Sequence, residues 1–171
     1  MKKNTLLVML LSCCYCASVL TGCATRGSTP VPSVDLAAEK ARVNEVLNQF
    51  FELARKRDWD ATGELMSEDF EVYTDGAVVL GKKDYVELMK KDDLEVKDME
   101  LKDRTVQVSG DGRMAWMTYR GYFNCVTHGK PHVVETAETL IFRKDDEQRW
   151  KIVRSHASVK AVEPPAEKPR K

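Results

Sequence analysis

The stretch "ETLIFRKDDEQRWKIVRSHAS", Glu138 to Ser158, decides how this chain folds. Its first part reads as the end of a long strand, and "DDEQ" is a run that turns the chain. Its last part, Trp150 to Ser158, again reads as a strand. Strict alternation puts Trp150, Ile152, Arg154, His156 and Ser158 on one face. Lys151, Val153, Ser155 and Ala157 then take the other. The first row begins as hydrophobic core and ends as Arg, His and Ser. This predicts a strand running from a packed base to a polar mouth.

Upstream, the same period of two continues. "RMAWMTYRGYFNCV" and "HVVETAETLIFRK" read as two long strands joined by "THGKP". "LEVKDMELKDRTVQVS" alternates too, but its phase slips near Lys97 and Asp98, as at a bulge. "GDG" at 110–112 is a turn. Before these strands the period is helical. Leu36, Val43, Val46, Leu47, Phe50, Leu53 and Ala54 form one apolar stripe ending near Arg57, with Ser33 or Asp35 as N-cap. "DWDATGELMSEDF" suggests a short second helix with Leu65 and Met66 facing inward, and Lys82 to Lys91 a third. Between them "FEVYTDGAVVLG" reads as a strand, an Asp75-Gly76 turn and a return strand. Helices first and a long antiparallel meander after them make an α+β domain, with helices on one face of a curved sheet.

Glu138-Thr139, Trp150 and His156-Ala157-Ser158 carry a resemblance. The order helix, short helix, "YTDG…LG", helix and long strands, over roughly Leu36 to Val159, is similar to the nuclear-transport-factor-2-like superfamily in its SnoaL-like branch. The resemblance implies a bent antiparallel sheet wrapped around the first helix, a cavity at the open end, and a homodimer formed through the sheet. It implies no single activity, since such domains include isomerases, dehydratases, cyclases and non-catalytic binding or assembly modules. Calcium/calmodulin-dependent kinase association domains have a similar last strand. They carry His where this chain has Arg154 and an Arg where it has Leu140, so their carboxylate pocket is not expected here.

The N-terminus carries a separate message. "MKKNTLLVMLLSCCYCASVLTGC" has two lysines, an apolar run too short to span a bilayer, and small residues before Cys23. "LTGC" resembles the bacterial lipobox, which implies that residues 1–22 are a signal peptide and that Cys23 is lipidated. Ala24 then points to the outer membrane, facing the periplasm. Residues 23–34 read as a Pro-containing tether that reaches at most about 36–40 Å. Residues 35–160 form the folded domain, and the Pro-rich residues 161–171 a disordered tail. Removing Lys2 and Lys3 from the 27 basic residues leaves 25 against 27 acidic ones, a formal charge of −2. With no basic stripe, nothing points to nucleic acid. Cys125 alone remains as a free thiol, so no internal disulfide is expected.

Several residues could carry chemistry. His156 with Arg154 could form a general base beside a cation, or be a strand-end histidine and a surface ion pair. Tyr73 and Asp75 match a pair that some catalytic members of the superfamily use; Asp75 also fits an ordinary Asp-Gly turn. Glu138, on a strand otherwise suited to burial, must be paired if charged, with Arg154 or His156 as its partner. Trp116 and Tyr122 should share one face of their strand, with Met117, Tyr119 and Phe123 on the other. Tyr73, Trp116, Tyr119, Glu138, Arg154 and His156 are therefore the candidate pocket residues. Cys125, His128 and His132 have zinc-type spacing, but the hairpin holding them offers no fourth ligand, and no metal or cofactor is expected. The favoured role is a non-catalytic, lipid-anchored envelope protein that binds a small apolar or amphipathic ligand or supports an assembly. The rivals are an isomerase, dehydratase or hydrolase using His156 with Asp75 or Glu138, and a purely structural partner-binding module.

Overall fold

A computed structural model describes residues 34–74 and 78–162. The proposed signal peptide, Cys23, the tether up to Ser33, Asp75 and residues 163–171 lie outside the described residues.

Helix α1 spans Leu36–Arg55. Asp35 caps it, its Oδ1 accepting from the amides of Ala37 and Ala38, both at 3.0 Å. Val43, Leu47, Phe51 and Ala54 recur every three or four residues, and all are buried. A second helix, α2, is Trp59–Glu64, capped by Asp58. It stops before Leu65, so Met66 opens strand β1 (Met66–Thr74) rather than facing inward from a helix. The short β2 (Val78–Gly81) returns beside β1. Helix α3 then covers Lys82–Lys91, as its periodicity predicts.

Four long strands follow: β3 (Glu95–Val108), β4 (Met114–Thr127), β5 (Lys130–Lys144) and β6 (Trp150–Val162). The sheet order is β2-β1-β6-β5-β4-β3. All neighbours are antiparallel except β1 and β6, which run parallel. The sheet is thus not purely antiparallel, because β6 returns from the meander to lie beside a strand made before it. Strand β6 also continues to Val162, opposite Val133, two residues past the expected boundary of the tail. In β3 the pairing shifts between Val96 and Asp98, where the alternation slips, and again between Lys102 and Thr105.

Helix α1 packs against β3 and β6, and α3 against β1 and α2. The core between helices and sheet contains Leu47, Met66, Met117, Phe142 and Ile152, each at most 2% exposed. Burying each such side chain contributes about 1.5–3 kcal/mol. Glu39 ties α1 to the ends of two strands. Its carboxylate accepts from Trp150 Nε1 at 2.8 Å and Lys144 Nζ at 2.7 Å. Among the described residues no helix is long and apolar enough to cross a membrane.

Candidate functional site

A bulge in β6 decides which side chains reach the interior. Ile152 pairs with Phe142 and Arg154 with Ile141, so Val153 has no partner of its own on β5. The extra residue shifts the alternation. Trp150 and Ile152 face the core as expected. Beyond the bulge, Ser155 is buried, while Arg154 and His156 are exposed. The single row read from the sequence is therefore two half-rows. Its polar end lies on the outer face of the sheet, not at a cavity mouth.

On that outer face Arg154 meets Glu71, with Nη2 2.9 Å from Oε2. The Tyr73 hydroxyl donates to the same oxygen at 2.9 Å and accepts from Arg154 Nη1 at 3.2 Å. The guanidinium also lies over the Tyr73 ring, 5.5 Å from its centroid. His156 stands opposite Tyr73 in the register. Trp116 lies on the same face, 42% exposed, opposite Ile141. Glu138 pairs with neither Arg154 nor His156, because it points to the other face.

The inner face holds a different group. Tyr119 and Glu138 are register partners on β4 and β5, and the Tyr119 hydroxyl donates to Glu138 Oε2. Ser155 Oγ donates to the other carboxyl oxygen at 2.7 Å. These groups stand at a small cavity of about 30 Å³. Leu47 and Phe50 of α1 wall it with Met66, Phe70, Leu140 and Ile152, and Tyr85 of α3 joins the polar side. The volume is room for about two waters. Tyr85 packs edge-on to Phe70, with ring centroids 5.7 Å apart.

Burial pushes the Glu138 carboxyl up, and the bonds from Tyr119 and Ser155 only partly offset this. Tyr119 and Tyr85 are held above the usual phenol range by burial and by the nearby carboxyl. The adjacent cation, Arg104, is bound to α1 through Asn44 and Asn48, at 3.2 and 3.1 Å. Burial thus shifts this carboxyl toward its neutral form, and when protonated it has one proton to offer, either to a neighbouring hydroxyl oxygen or to an acceptor atom in the cavity.

Of the six residues expected to line a pocket, the structure brings Tyr119 and Glu138 together inside. It places Tyr73, Arg154 and His156 together outside, and Trp116 elsewhere on that outer face. His156 and Glu138 lie on opposite faces of the sheet, so that acid–base pair is not assembled, and the alternative partner of His156, Asp75, lies outside the described residues. Ser155 and Tyr85 are the cavity residues that the alternation misses. Adjacent Ile152 and Val153, two apolar residues in a row within an alternating strand, are the signal of the bulge that turns Ser155 inward. Cys125 is buried opposite His132, whereas His128 sits past the strand end with Nε2 3.8 Å from Asp92. Among the described residues no group of His, Cys, Asp and Glu is arranged to hold a metal ion.

A family profile for a SnoaL-like domain matches residues 43–162. The chain belongs to the SnoaL-like domain family. No curated protein matches it. Solved structures do. A conserved protein from Planctomyces limnophilus is 19% identical, with a TM-score of 0.63 over 74% of this chain and 99% of that one. A ketosteroid isomerase-like protein from Erwinia carotovora atroseptica is 17% identical, with a TM-score of 0.61 over 74% and 98%. An NTF2-like protein from Rhodospirillum rubrum is 20% identical, with a TM-score of 0.59 over 74% and 99%. At these identities the likeness establishes the SnoaL-like fold: a curved six-stranded sheet with helices on one face.

Proposed function

We propose that this SnoaL-like protein is a lipid-anchored envelope component that binds a small amphipathic molecule without transforming it. The observation that carries this reading is Glu138. A carboxyl with two hydroxyl donors, at an otherwise apolar cavity and without a cation bound to it, is suited to hold the polar tip of a ligand. The cavity's 30 Å³ takes such a tip and not a whole isomerase-type substrate. Both carboxyl oxygens already accept hydroxyl bonds, which suits holding better than rapid proton transfer. The anchor rests on the lipobox-like "LTGC" ending in Cys23.

A second reading, assembly through the sheet, has its own observation. Met114 and Trp116 are 44% and 42% exposed on one face of β4, with half-buried Ile141 beside Trp116. A second copy covering this face would bury them, so we include a homodimer in the proposal.

Native mass spectrometry of the full chain, extracted from membranes in mild detergent, tests the proposal in one spectrum. The expected result is a dimer of acylated chains carrying a small molecule, and Leu140→Trp, which fills the cavity, loses that molecule alone. A chain with no added mass on Cys23, or with no bound small molecule in the wild type, contradicts the corresponding part.

A further inference from the structure

On the outer face of the sheet, away from the Glu138 cavity, lies a trough of about 400 Å³. The register runs one row of side chains across it: Lys160 on β6, Glu135 on β5, Tyr122 on β4 and Glu100 on β3. Lys102 and Arg120 stand beside this row. Both already have acidic partners, Lys102 in Glu100 at 2.9 Å and Arg120 in Asp103, with Nε at 2.7 Å. Glu135 and Lys160 are exposed and make no ion pair among the described residues, although they are register partners. The centre of the trough is therefore an acid, an aromatic ring and an acid, set side by side at the strand spacing of about 4.8 Å.

Residues 163–171, "EPPAEKPRK", follow Val162, two positions after Lys160. Pro164 and Pro165 carry no N–H and so cannot extend the β6 ladder. Lys168, Pro169 and Arg170 then give a base, a proline and a base in succession. We infer that this segment turns back and docks in the trough of its own chain, with Pro169 on the Tyr122 ring, Lys168 against Glu135 and Arg170 against Glu100. Base, proline and base meet acid, ring and acid. The reach is sufficient: the five residues Glu163 to Glu167 span up to about 17 Å, and Tyr122 is two strand spacings, about 10 Å, from the β6 column. A proline-rich segment suits such a seat, because its extended backbone is set in advance and docks on aromatic rings without a packed element of its own. The pair of Glu100 with Lys102 is exposed at both ends, 60% and 54%, so it yields readily to Arg170. Glu167, one position before Lys168, comes within reach of Lys160.

Carbodiimide cross-linking of the full chain in mild detergent tests the docking with every residue in place. The reagent activates a carboxyl, and a lysine amine in contact with it displaces the activating group, forming an amide with net loss of water. The expected result is one dominant amide, Lys168 to Glu135, found by mass spectrometry in chain that runs as a monomer under denaturing conditions. The same amide found only in a covalent dimer would give the trough to the tail of a second copy and overturn docking within one chain. Amides spread evenly over Glu135, Glu100 and the nearby exposed Asp98, or none at Lys168, would show a segment without a seat and overturn the inference outright. Tyr122→Ala touches neither reacting group and is expected to lower the yield of the Lys168–Glu135 amide about fivefold, with circular dichroism reporting the fold. Should Tyr122→Ala fail to fold, Arg170→Ala, which changes no residue of the sheet, is expected to lower the yield about threefold. A yield within about twofold of the wild type overturns the seat on Tyr122 and Glu100.

Discussion

Glu138 and Glu39 are two carboxyls with opposite fates in one domain. Lys144, Trp150 and Arg42 surround Glu39; burial raises its carboxyl, but their bonds and charges outweigh this and hold it below the usual range. Glu138 has only hydroxyl partners, and burial dominates. The consequences for stability have opposite signs. Glu39 contributes stability that is present above its unfolded value near 4.5 and is lost as pH falls through its lower folded value. Glu138 contributes stability that is complete below its unfolded value near 4.5 and is lost as pH rises through its higher folded value. We therefore expect Glu138→Gln to flatten the alkaline side of the stability profile. Urea midpoints of wild type and variant should run parallel below about pH 4 and diverge above it, the wild type falling relative to the variant. Parallel curves throughout would mean that Glu138 does not hold its proton in the folded state. Glu138 was legible in the sequence as an acid on a strand otherwise suited to burial. Its partners were not, because Ser155 reaches it only through a bulge and Tyr85 only through the packing of a helix.

At the scale of elements, the helices and long strands follow directly from their periods. The helical stripe read from the sequence holds at Val43, Leu47 and Ala54, but Leu36 is exposed and Phe51, which it omits, is buried, while the burial of β4 alternates without a break from Met114 to Cys125. The facing of β6 could not be read by alternation alone. Trp150 and Ile152 set one phase, Ser155 the other, and only the pairing with β5 shows that Val153 is the extra residue. The parallel pairing of β1 with β6 was likewise invisible, since no local signal names a partner as distant in the chain as Arg154 is from Glu71. What holds α1 to the ends of β5 and β6 is the buried Glu39 cluster, where the Lys144 side chain is 11% exposed and that of Glu39 8%. Glu39→Gln leaves Lys144 buried without its counter-ion and should cost about 3 kcal/mol in urea denaturation at pH 7. A loss below about 1 kcal/mol would show that the cluster relaxes to solvent and does not fasten the helix.

For the whole molecule, the two sheet faces divide the work. The inner face buries the core and leaves a small compartment around Glu138. The outer face carries an exposed ion pair, aromatic rings and His156, features suited to contact with another surface. The fold class was legible because order and period agree along the chain; the site was only half legible because its residues sit on both sides of one bulge. The central claim is that the inner compartment takes a small amphipathic ligand, and methyl NMR of the full chain tests it directly. On titration with p-cresol, the methyl signals of Leu47, Leu140 and Ile152, which wall the cavity, should shift together along one binding curve, while those of exposed Leu36 and Val79 stay still. Unmoved cavity methyls at saturating p-cresol, or shifts confined to the surface methyls, would contradict it.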